Sequence, residues 1–115
     1  MARTVLIVDD HAAFRAAARA LLEAGDLKVV GEAVDGCSAL AAVAALRPDV
    51  VLLDVHLPDL DGFGVAERLP ADGPAVVFTS SRAPSSFRRR LAANPAWTFV
   101  PKSELTGDVV AAAAG

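Results

Sequence analysis

Cysteine and aromatic side chains are scarce in this chain of 115 residues, which has one cysteine, one tryptophan, five phenylalanines and no tyrosine. The lone Cys37 cannot form an internal disulfide, and no second cysteine stands beside it to complete a metal site. A disulfide scaffold and a cysteine-based zinc site are therefore excluded. Because large side chains are few, the core must come mainly from the 25 alanines, 15 valines and 13 leucines. That composition suits valine-rich strands covered by alanine-rich helices.

Long apolar runs are also missing. Runs such as Val50–Leu53 and Val109–Ala114 are far shorter than the roughly 20 residues that a membrane-spanning helix needs, which argues against an integral membrane protein. No basic segment followed by an apolar stretch opens the chain, so we expect a cytoplasmic location rather than secretion. The length suits one domain, predicted over residues 1–115, without room for a second.

Charge of one sign does not dominate either. The net charge is −3, which gives no general footprint for nucleic acid. The charge is uneven, since residues 1–72 carry a net charge of −6 and residues 73–115 a net charge of +3. The basic run Arg88–Arg90 falls in a predicted helix, around which three consecutive residues spread. We interpret it as a solvated surface, with partner docking as the second interpretation and no direct contact to nucleic acid.

Five short apolar strands alternate with five helical segments. The predicted strands cover residues 4–8, 28–33, 49–53, 75–78 and 97–100. One predicted helix follows the first strand and is terminated by Gly25, three cover about residues 37–46, 63–69 and 85–93, and the last follows residue 103. The buried face of the first helix is predicted from apolar residues at helical spacing, namely Phe14, Ala17, Leu21 and Leu22. Strict alternation of this kind predicts an α/β fold with a parallel sheet covered by helices on both faces.

Polar residues stand where these strands end. Asp9 and Asp10 follow the first strand, Asp54 the third, Thr79 the fourth and Lys102 the fifth. Ligands of an open parallel sheet bind beyond the carboxyl ends of its strands, so we expect these side chains to meet. Three carboxylates in one place need a cation, and an all-oxygen donor set suits Mg²⁺. Acids, an ammonium and a hydroxyl together predict a phosphoryl-transfer site.

One carboxylate of such a site must accept the phosphoryl group. Asp54 is the best candidate, because it ends the central strand and precedes a loop that can leave it accessible. Asp9 and Asp10 are then assigned to the metal. Further acids of the negative half, Asp49, Asp59 and Asp61, are expected at or near the same edge, without a chemical role.

Four segments together resemble a known family, the response-regulator receiver domains of two-component signalling. They are VDDH (Val8–His11), LLDVHLPDLDG (Leu52–Gly62), FTSS (Phe78–Ser81) and FVPKS (Phe99–Ser103). They occur in the family's order and span essentially the whole chain. The resemblance implies a flavodoxin-like, doubly wound sheet of five parallel strands in the order 2-1-3-4-5 with five helices.

The resemblance also implies roles for the site residues. Asp54 would be phosphorylated by a partner sensor histidine kinase or by a small phosphodonor. Asp9, Asp10, Asp54 and the backbone carbonyl of His56 would hold Mg²⁺, and Lys102 would pair with the phosphoryl group. The His56 side chain has a secondary interpretation as a group that tunes hydrolysis of the aspartyl phosphate.

The resemblance also implies that the domain changes conformation when it is phosphorylated. Thr79 would move toward the phosphoryl group, and Phe99 would rotate inward as it does so. These movements would change the face made by the fourth helix, fifth strand and fifth helix. That face would then control an unknown downstream protein or form a homodimer. The chain is therefore expected to act as a switch with self-catalysed phosphotransfer and dephosphorylation, rather than as an enzyme with a separate substrate.

Three features depart from the family pattern. Only 25 residues separate Asp54 from Thr79, so the third helix and its following loop are predicted to be short. Ser103 follows Lys102 where many receivers have proline, and Ser80 stands where a very small residue is preferred. None of these removes a reacting group.

Other functions stay open at this point. The main alternative is a pseudo-receiver that binds partners without phosphorylation. An FMN site is disfavoured by the few aromatics and the acid cluster, and a Mg²⁺-dependent phosphohydrolase would need an acid where His56 stands. The chain is expected to be either a stand-alone receiver or the receiver part of a longer DNA-binding regulator.

Individual residues also have simpler interpretations. His11 is interpreted as a surface residue in the first turn of a helix, and Asp10 as a possible cap of that helix. Cys37 is interpreted as a small core residue of the second helix. Trp97 is expected to pack in the core or at its rim.

Overall fold

The computed structural model describes residues 2–115, so Met1, the first residue of the predicted domain, lies outside the described part. The strands are β1 (Thr4–Val8), β2 (Lys28–Ala33), β3 (Val50–Asp54), β4 (Ala75–Ser80) and β5 (Thr98–Pro101). The α-helices are α1 (Ala12–Ala24), α2 (Gly36–Leu46), α3 (Gly62–Glu67), α4 (Arg88–Leu91) and α5 (Gly107–Ala114). Short 3-10 turns cover Pro84–Phe87 and Lys102–Glu104.

All five strands form one parallel sheet in the order β2-β1-β3-β4-β5. Every residue of the central strand β3 is buried. Alternate strand residues face two separate clusters of the core, one containing Leu6 and Leu53 and the other Ile7 and Leu52. Helices cover both faces, as expected for strands that read as continuous apolar runs. The predicted doubly wound fold class and strand order are confirmed.

The buried face of α1 differs from the prediction. Ala18 and Leu22 are buried and Phe14 is half-buried, whereas Ala17 and Leu21 are exposed. Phe14, Ala18 and Leu22 recur at intervals of four residues, so they form a single row on the side of α1 that faces the sheet. The buried face of α1 is therefore narrower than predicted.

The fourth helix is shorter than the predicted span of residues 85–93. A 3-10 turn runs into a single α-helical turn, and the junction lies at Phe87, whose φ of −121° and ψ of 8° depart from helical values. Pro84 starts the segment, and Asn94 precedes Pro95, which disfavours helix before it. Three adjacent arginines add like charge to a segment that already has weak helix signals.

The third helix is short, as expected from the spacing of Asp54 and Thr79. Asp61 starts it by accepting a hydrogen bond from the backbone N–H of Gly64 at 2.8 Å. It ends at Glu67 rather than at the predicted Leu69, because Leu69 precedes Pro70. Over residues 2–115, none of the helices combines the length and apolar composition required to cross a bilayer.

Candidate functional site

Three buried polar residues meet at the carboxyl edge of the sheet. Asp9 follows β1, Asp54 ends β3 and Thr79 lies next to last in β4. β3 pairs with both neighbours, so that Val8 lies beside Leu53 and Thr79 beside Asp54. All three polar side chains are almost completely buried, with Asp54 3% exposed. The register of the parallel sheet therefore brings together residues 45 and 25 positions apart in the sequence.

Lys102 reaches this edge from the turn after β5. Its Nζ lies 2.7 Å from Oδ2 of Asp9 and 3.2 Å from Oδ2 of Asp54. The same ammonium lies 4.1 Å from the centre of the Phe14 ring, which shields it on one side. One ammonium thus contacts two buried carboxylates and lies closer to Asp9.

This sharing affects the ionisation of all three groups. Burial, and after it the neighbouring Asp9 carboxyl, raises the pKa of Asp54 above its ordinary value. Burial also acts to raise the pKa of Asp9, but the hydrogen bonds it accepts, first of all from Lys102, outweigh burial and lower its pKa. Burial acts to lower the pKa of Lys102, but its hydrogen bonds to Asp9 and Asp54, together with the negative charge of both carboxylates, outweigh burial and raise the pKa. Asp54 is therefore the carboxylate without a full countercharge.

The loop after β3 holds Asp54 from the other side. The backbone N–H of His56 donates to Oδ1 of Asp54 at 3.1 Å. The loop then folds back, with the N–H of Gly62 donating to the carbonyl of Val55 at 2.7 Å. A Cβ at position 62 would overlap the carbonyl oxygen of Asp54, so this close return requires glycine. His56 itself is exposed, and its ring packs 5.8 Å from that of Phe87.

Asp10 and His11 form the outer part of the site. The Nδ1 atom of His11 lies 3.0 Å from Oδ1 of Asp9 and 3.1 Å from Oδ1 of Asp10. His11, not Asp10, occupies the N-cap position of α1, and neither side chain caps the helix within residues 2–115. The possible capping role of Asp10 is therefore wrong. Potential ligand atoms of Asp9, Asp10, His11 and Asp54 lie within 4.8 Å of one another.

His11 was expected on the surface, and its side chain is 69% exposed, but its ring nitrogen lies beside Asp9 and Asp10 in the site. Its position directly after the two acids was the available signal.

Arg15 was also missed. Its guanidinium donates to the backbone carbonyl of Asp9 at 2.8 Å and to Oε1 of Glu32 at 2.9 Å. Arg15 therefore ties the loop after β1 to β2.

The hydroxyl of Thr79 is buried and has no hydrogen-bond partner among residues 2–115. An unpaired buried hydroxyl is costly, so this atom indicates a place for an additional acceptor. The carboxylate cluster also carries more negative charge than one ammonium can balance, because Lys102 is shared by Asp9 and Asp54. Oxygen donors in this number are the ligands that Mg²⁺ prefers. The residues present therefore fit both a divalent cation and a phosphoryl group.

Comparison with known proteins agrees with this geometry. The family model described as the response regulator receiver domain matches residues 5–114. This chain belongs to that family. The resemblance stated from the four sequence segments is thereby confirmed.

Relatives of this receiver domain include larger proteins. The transcription regulator BvgA of Bordetella pertussis is 37% identical over 115 residues, covering 98% of this chain and 55% of that protein. A protein-glutamate methylesterase/protein-glutamine glutaminase of Hahella chejuensis is 42% identical over 79 residues, covering 67% of this chain and 23% of the enzyme. The receiver domain spans about half, or less, of the length of these curated relatives.

A solved structure gives the same result for the fold. The signal receiver domain of the response regulator NarL from Mycobacterium tuberculosis matches this receiver domain with a TM-score of 0.77 and 34% identity. The match covers 99% of this chain and 98% of that one.

Phe99 of the receiver domain lies on β5. Its ring is half-buried and lies 5.6 Å from that of Phe87, which in turn contacts His56. Trp97 is half-buried against Phe63 and Phe78, as expected for core or rim packing. An aromatic layer therefore lies under α3 and α4.

Of three further acids expected at or near the metal edge, Asp59 and Asp61 lie there, in the loop after β3, and Asp49 does not. Asp49 precedes β3 and hydrogen-bonds to Thr4 at the opposite edge of the sheet. Asp59 accepts hydrogen bonds from the first backbone N–H groups of α2, and Asp61 pairs with Arg90 at 2.6 Å. The expectation for Asp49 is wrong because it begins a strand, and strand starts and ends lie at opposite edges.

Two side-chain interpretations also change. Cys37 is exposed at the start of α2, not part of the core. Arg90 does not merely lie in solvent, because its guanidinium also stacks 4.3 Å from the centre of the Phe63 ring.

Proposed function

We propose that this receiver domain is a phosphorylation-dependent switch that takes a phosphoryl group onto Asp54 from a sensor histidine kinase or a small phosphodonor. A carboxylate oxygen of Asp54 forms the new P–O bond as the P–N bond of the donor phosphohistidine breaks, and the released imidazole takes up a proton. The observation that carries the proposal is the convergence of Asp54 with the Lys102 ammonium and the unpaired Thr79 hydroxyl.

The metal of the proposed site is Mg²⁺, which Asp9, Asp10, Asp54 and the backbone carbonyl of His56 would hold. When bound, this ion would neutralise charge on the phosphoryl oxygens. Lys102 supplies positive charge to the same oxygens, since its ammonium already lies within 3.2 Å of the Asp54 carboxylate. Burial of Asp54 limits access of water to the site.

The proposed response begins at Thr79. Its hydroxyl lacks a partner in the described part of the chain, so a phosphoryl oxygen beside it would give it one. That contact favours an arrangement in which Thr79 moves toward Asp54 and the Phe99 ring turns inward, shifting an existing equilibrium. The output face is then formed by α4, β5 and α5, which would bind a downstream protein or a second copy of the chain.

The wider setting of the protein is part of the proposal. A kinase-dependent switch would act in the cytoplasm, and the output would come from a partner or from a further region of a longer regulator. Relatives such as BvgA, of which this chain covers 55%, support the second arrangement.

The test is intact-mass analysis of the chain after incubation with acetyl phosphate and Mg²⁺. We expect a mass increase of one phosphoryl group in the wild type and in Asp72→Asn, which removes an exposed acid far from the site. The increase should be absent from Asp54→Asn. A wild type that stays unmodified would support the pseudo-receiver alternative, and an adduct that persists in Asp54→Asn would falsify the assignment of the acceptor.

A further inference from the structure

Arg15 joins the acids of the proposed site to the neighbouring strand. Its Nη1 atom donates to the backbone carbonyl of Asp9 at 2.8 Å, and its Nε atom donates to Oε1 of Glu32 on β2 at 2.9 Å. The side chain of Arg15 is only 16% exposed, so solvent screens these contacts little. Arg15 therefore contacts the main chain of the site and also an acid that holds its guanidinium in place.

The carbonyl that accepts from Arg15 belongs to the peptide bond between Asp9 and Asp10. A peptide bond is planar, so fixing its carbonyl also fixes the direction in which the chain enters Asp10. The N–H of Asp9 is bonded as well, to the carbonyl of Ala33 on β2 at 3.1 Å. Both main-chain polar groups of Asp9 are thus held from the side of β2, and together they set the start of Asp10.

The two acids differ in how firmly their side chains are held. The carboxylate of Asp9 accepts from Nζ of Lys102 at 2.7 Å and from the backbone N–H of His11 at 2.8 Å. The side chain of Asp10 is 38% exposed, and its carboxylate contacts the His11 ring, which is itself 69% exposed. The position of the Asp10 carboxylate therefore depends mainly on its main chain, which Arg15 orients.

We propose that Arg15 is a positioning residue of the phosphoryl-transfer site, whose bond to the Asp9 carbonyl places Asp10 for the divalent cation. The inference rests on the metal site of the proposed function. Groups that orient metal ligands without touching the metal commonly change its affinity about tenfold or more when they are removed. Because Arg15 acts through Asp10, its loss should raise the Mg²⁺ concentration that phosphorylation requires and leave the rate at saturating Mg²⁺ unchanged.

Arg19 provides the matched control. It lies one helical turn after Arg15 on α1, and its Nη2 atom donates to Oε2 of the same Glu32 at 2.9 Å. Arg19→Gln therefore removes the same charge and a bond to the same acid, but leaves the bond to the Asp9 carbonyl intact. Loss of positive charge alone would favour a bound cation. A weaker Mg²⁺ affinity in Arg15→Gln would therefore reflect geometry and not charge.

The experiment has two readouts on the full chain. Calorimetry measures the affinity for Mg²⁺, and intact-mass analysis over time measures phosphorylation by acetyl phosphate across a range of Mg²⁺ concentrations. We expect Arg15→Gln to lose about tenfold in Mg²⁺ affinity and to reach the wild-type rate at saturating Mg²⁺, while Arg19→Gln stays close to the wild type in both. Should Arg15→Gln fail to fold, Arg15→Lys gives the same test, because its single ammonium cannot replace two separate N–H donors.

The outcomes separate this inference from the proposed function. A wild type that binds no Mg²⁺ would contradict the metal site and the role of Arg15 together. An Arg15→Gln variant that keeps the wild-type Mg²⁺ affinity would overturn the role of Arg15 alone and leave the proposed function standing. A purely structural role would make Arg15→Gln less stable in urea while its Mg²⁺ affinity stayed equal to that of Arg19→Gln.

Discussion

Thr79 lies directly beside Asp54 in the pairing of β4 with β3, yet its hydroxyl has no hydrogen-bond partner in the described residues. Neighbouring residues of paired strands present their side chains on the same face of the sheet. A buried carboxylate and a buried, unpaired hydroxyl therefore lie side by side. The resting structure bears the desolvation cost of that hydroxyl, and a phosphoryl group on Asp54 would relieve it.

The first prediction concerns this hydroxyl. Thr79→Val replaces it with a methyl group of similar size, so the free energy of unfolding should rise by about 1 kcal/mol. The measurement is urea denaturation. Thr4→Val is the matched control, because the Thr4 hydroxyl does form hydrogen bonds, to Asp49. That variant should lose stability. A Thr79→Val protein that is less stable than the wild type would show that its hydroxyl is paired in solution.

The same variant tests the switch. Thr79→Val should still take up a phosphoryl group on Asp54 but lose most of the NMR shift changes at Phe99 that follow phosphorylation. Shift changes at Phe99 equal to those of the wild type would remove Thr79 from the proposed path.

The second prediction concerns the shared ammonium. Lys102→Met keeps an apolar chain near Phe14 but leaves Asp9 and Asp54 as buried carboxylates without their ion-pair partner. In the absence of metal we expect a loss of about 3 kcal/mol in the free energy of unfolding. Added Mg²⁺ should stabilise this variant more than the wild type, because the ion replaces the missing positive charge. Thermal denaturation with and without Mg²⁺ measures both effects.

Lys28→Met, on an exposed residue of β2, is the control for that experiment. It should respond to Mg²⁺ as the wild type does. We further expect Lys102→Met to retain Mg²⁺ binding and to lose the response at Phe99. Equal stabilisation of wild type and Lys102→Met by Mg²⁺ would argue against a shared cation site.

Much of the fold could be predicted because strands and site residues leave local signals. Each strand is a short apolar run, and β1 and β2 have the predicted bounds. Asp9, Asp54 and Lys102 were expected together because parallel strands end at one edge. β4 was predicted too short, since its last residues are polar, and the pairing of Thr79 with Asp54 and of Ser80 with Pro101 shows that the strand continues.

The contacts of the helices could not be predicted in the same way. The direction in which α1 leaves β1 decides that Arg15 reaches the Asp9 carbonyl and that His11 faces both acids. The fourth segment changes from a 3-10 turn to α-helix at Phe87, whose ring packs near those of His56, Phe63 and Phe99. The expectation for Asp49 was wrong for a different reason. Asp49 directly precedes β3, and that position alone places it at the edge of the sheet where the strands begin.

The third prediction concerns the packing of α1 against α5. Gly25 has an ordinary φ of −101°, so glycine is required there by the close approach of α5 and not by the backbone conformation. A Cβ on Gly107 would lie 2.5 Å from the Cα of Gly25 and 2.9 Å from the carbonyl oxygen of Leu22. Gly107→Ala should therefore force the two helices apart and cost about 2 kcal/mol in the free energy of unfolding. Chemical denaturation provides the measurement.

Gly64→Ala is the control for that experiment. Its Cβ would lie 3.4 Å from Oδ1 of Asp61, an ordinary contact, and alanine favours helix over glycine by up to about 1 kcal/mol. We expect no loss of stability in this variant. If Gly107→Ala were as stable as Gly64→Ala, the close approach of Gly25 and Gly107 would be unimportant for the fold.

The last prediction is a pH dependence at the ion pair of Asp61 and Arg90. The hydrogen bond from Arg90, opposed by burial and helped by the N–H of Gly64, holds the pKa of Asp61 below its ordinary value of 3.8. Because the folded pKa is lowered, the stabilisation is complete above pH 3.8 and is lost as the pH falls through the folded pKa. Both side chains are partly exposed, so the contribution should stay below about 1 kcal/mol.

Asp61→Asn keeps an oxygen for the Gly64 N–H but has no charge to lose. Urea denaturation between neutral and acidic pH should therefore show the stability difference between wild type and Asp61→Asn shrinking as the solution becomes more acidic. A difference that does not change with pH would mean that Arg90 is held by the Phe63 ring and not by the charge of Asp61.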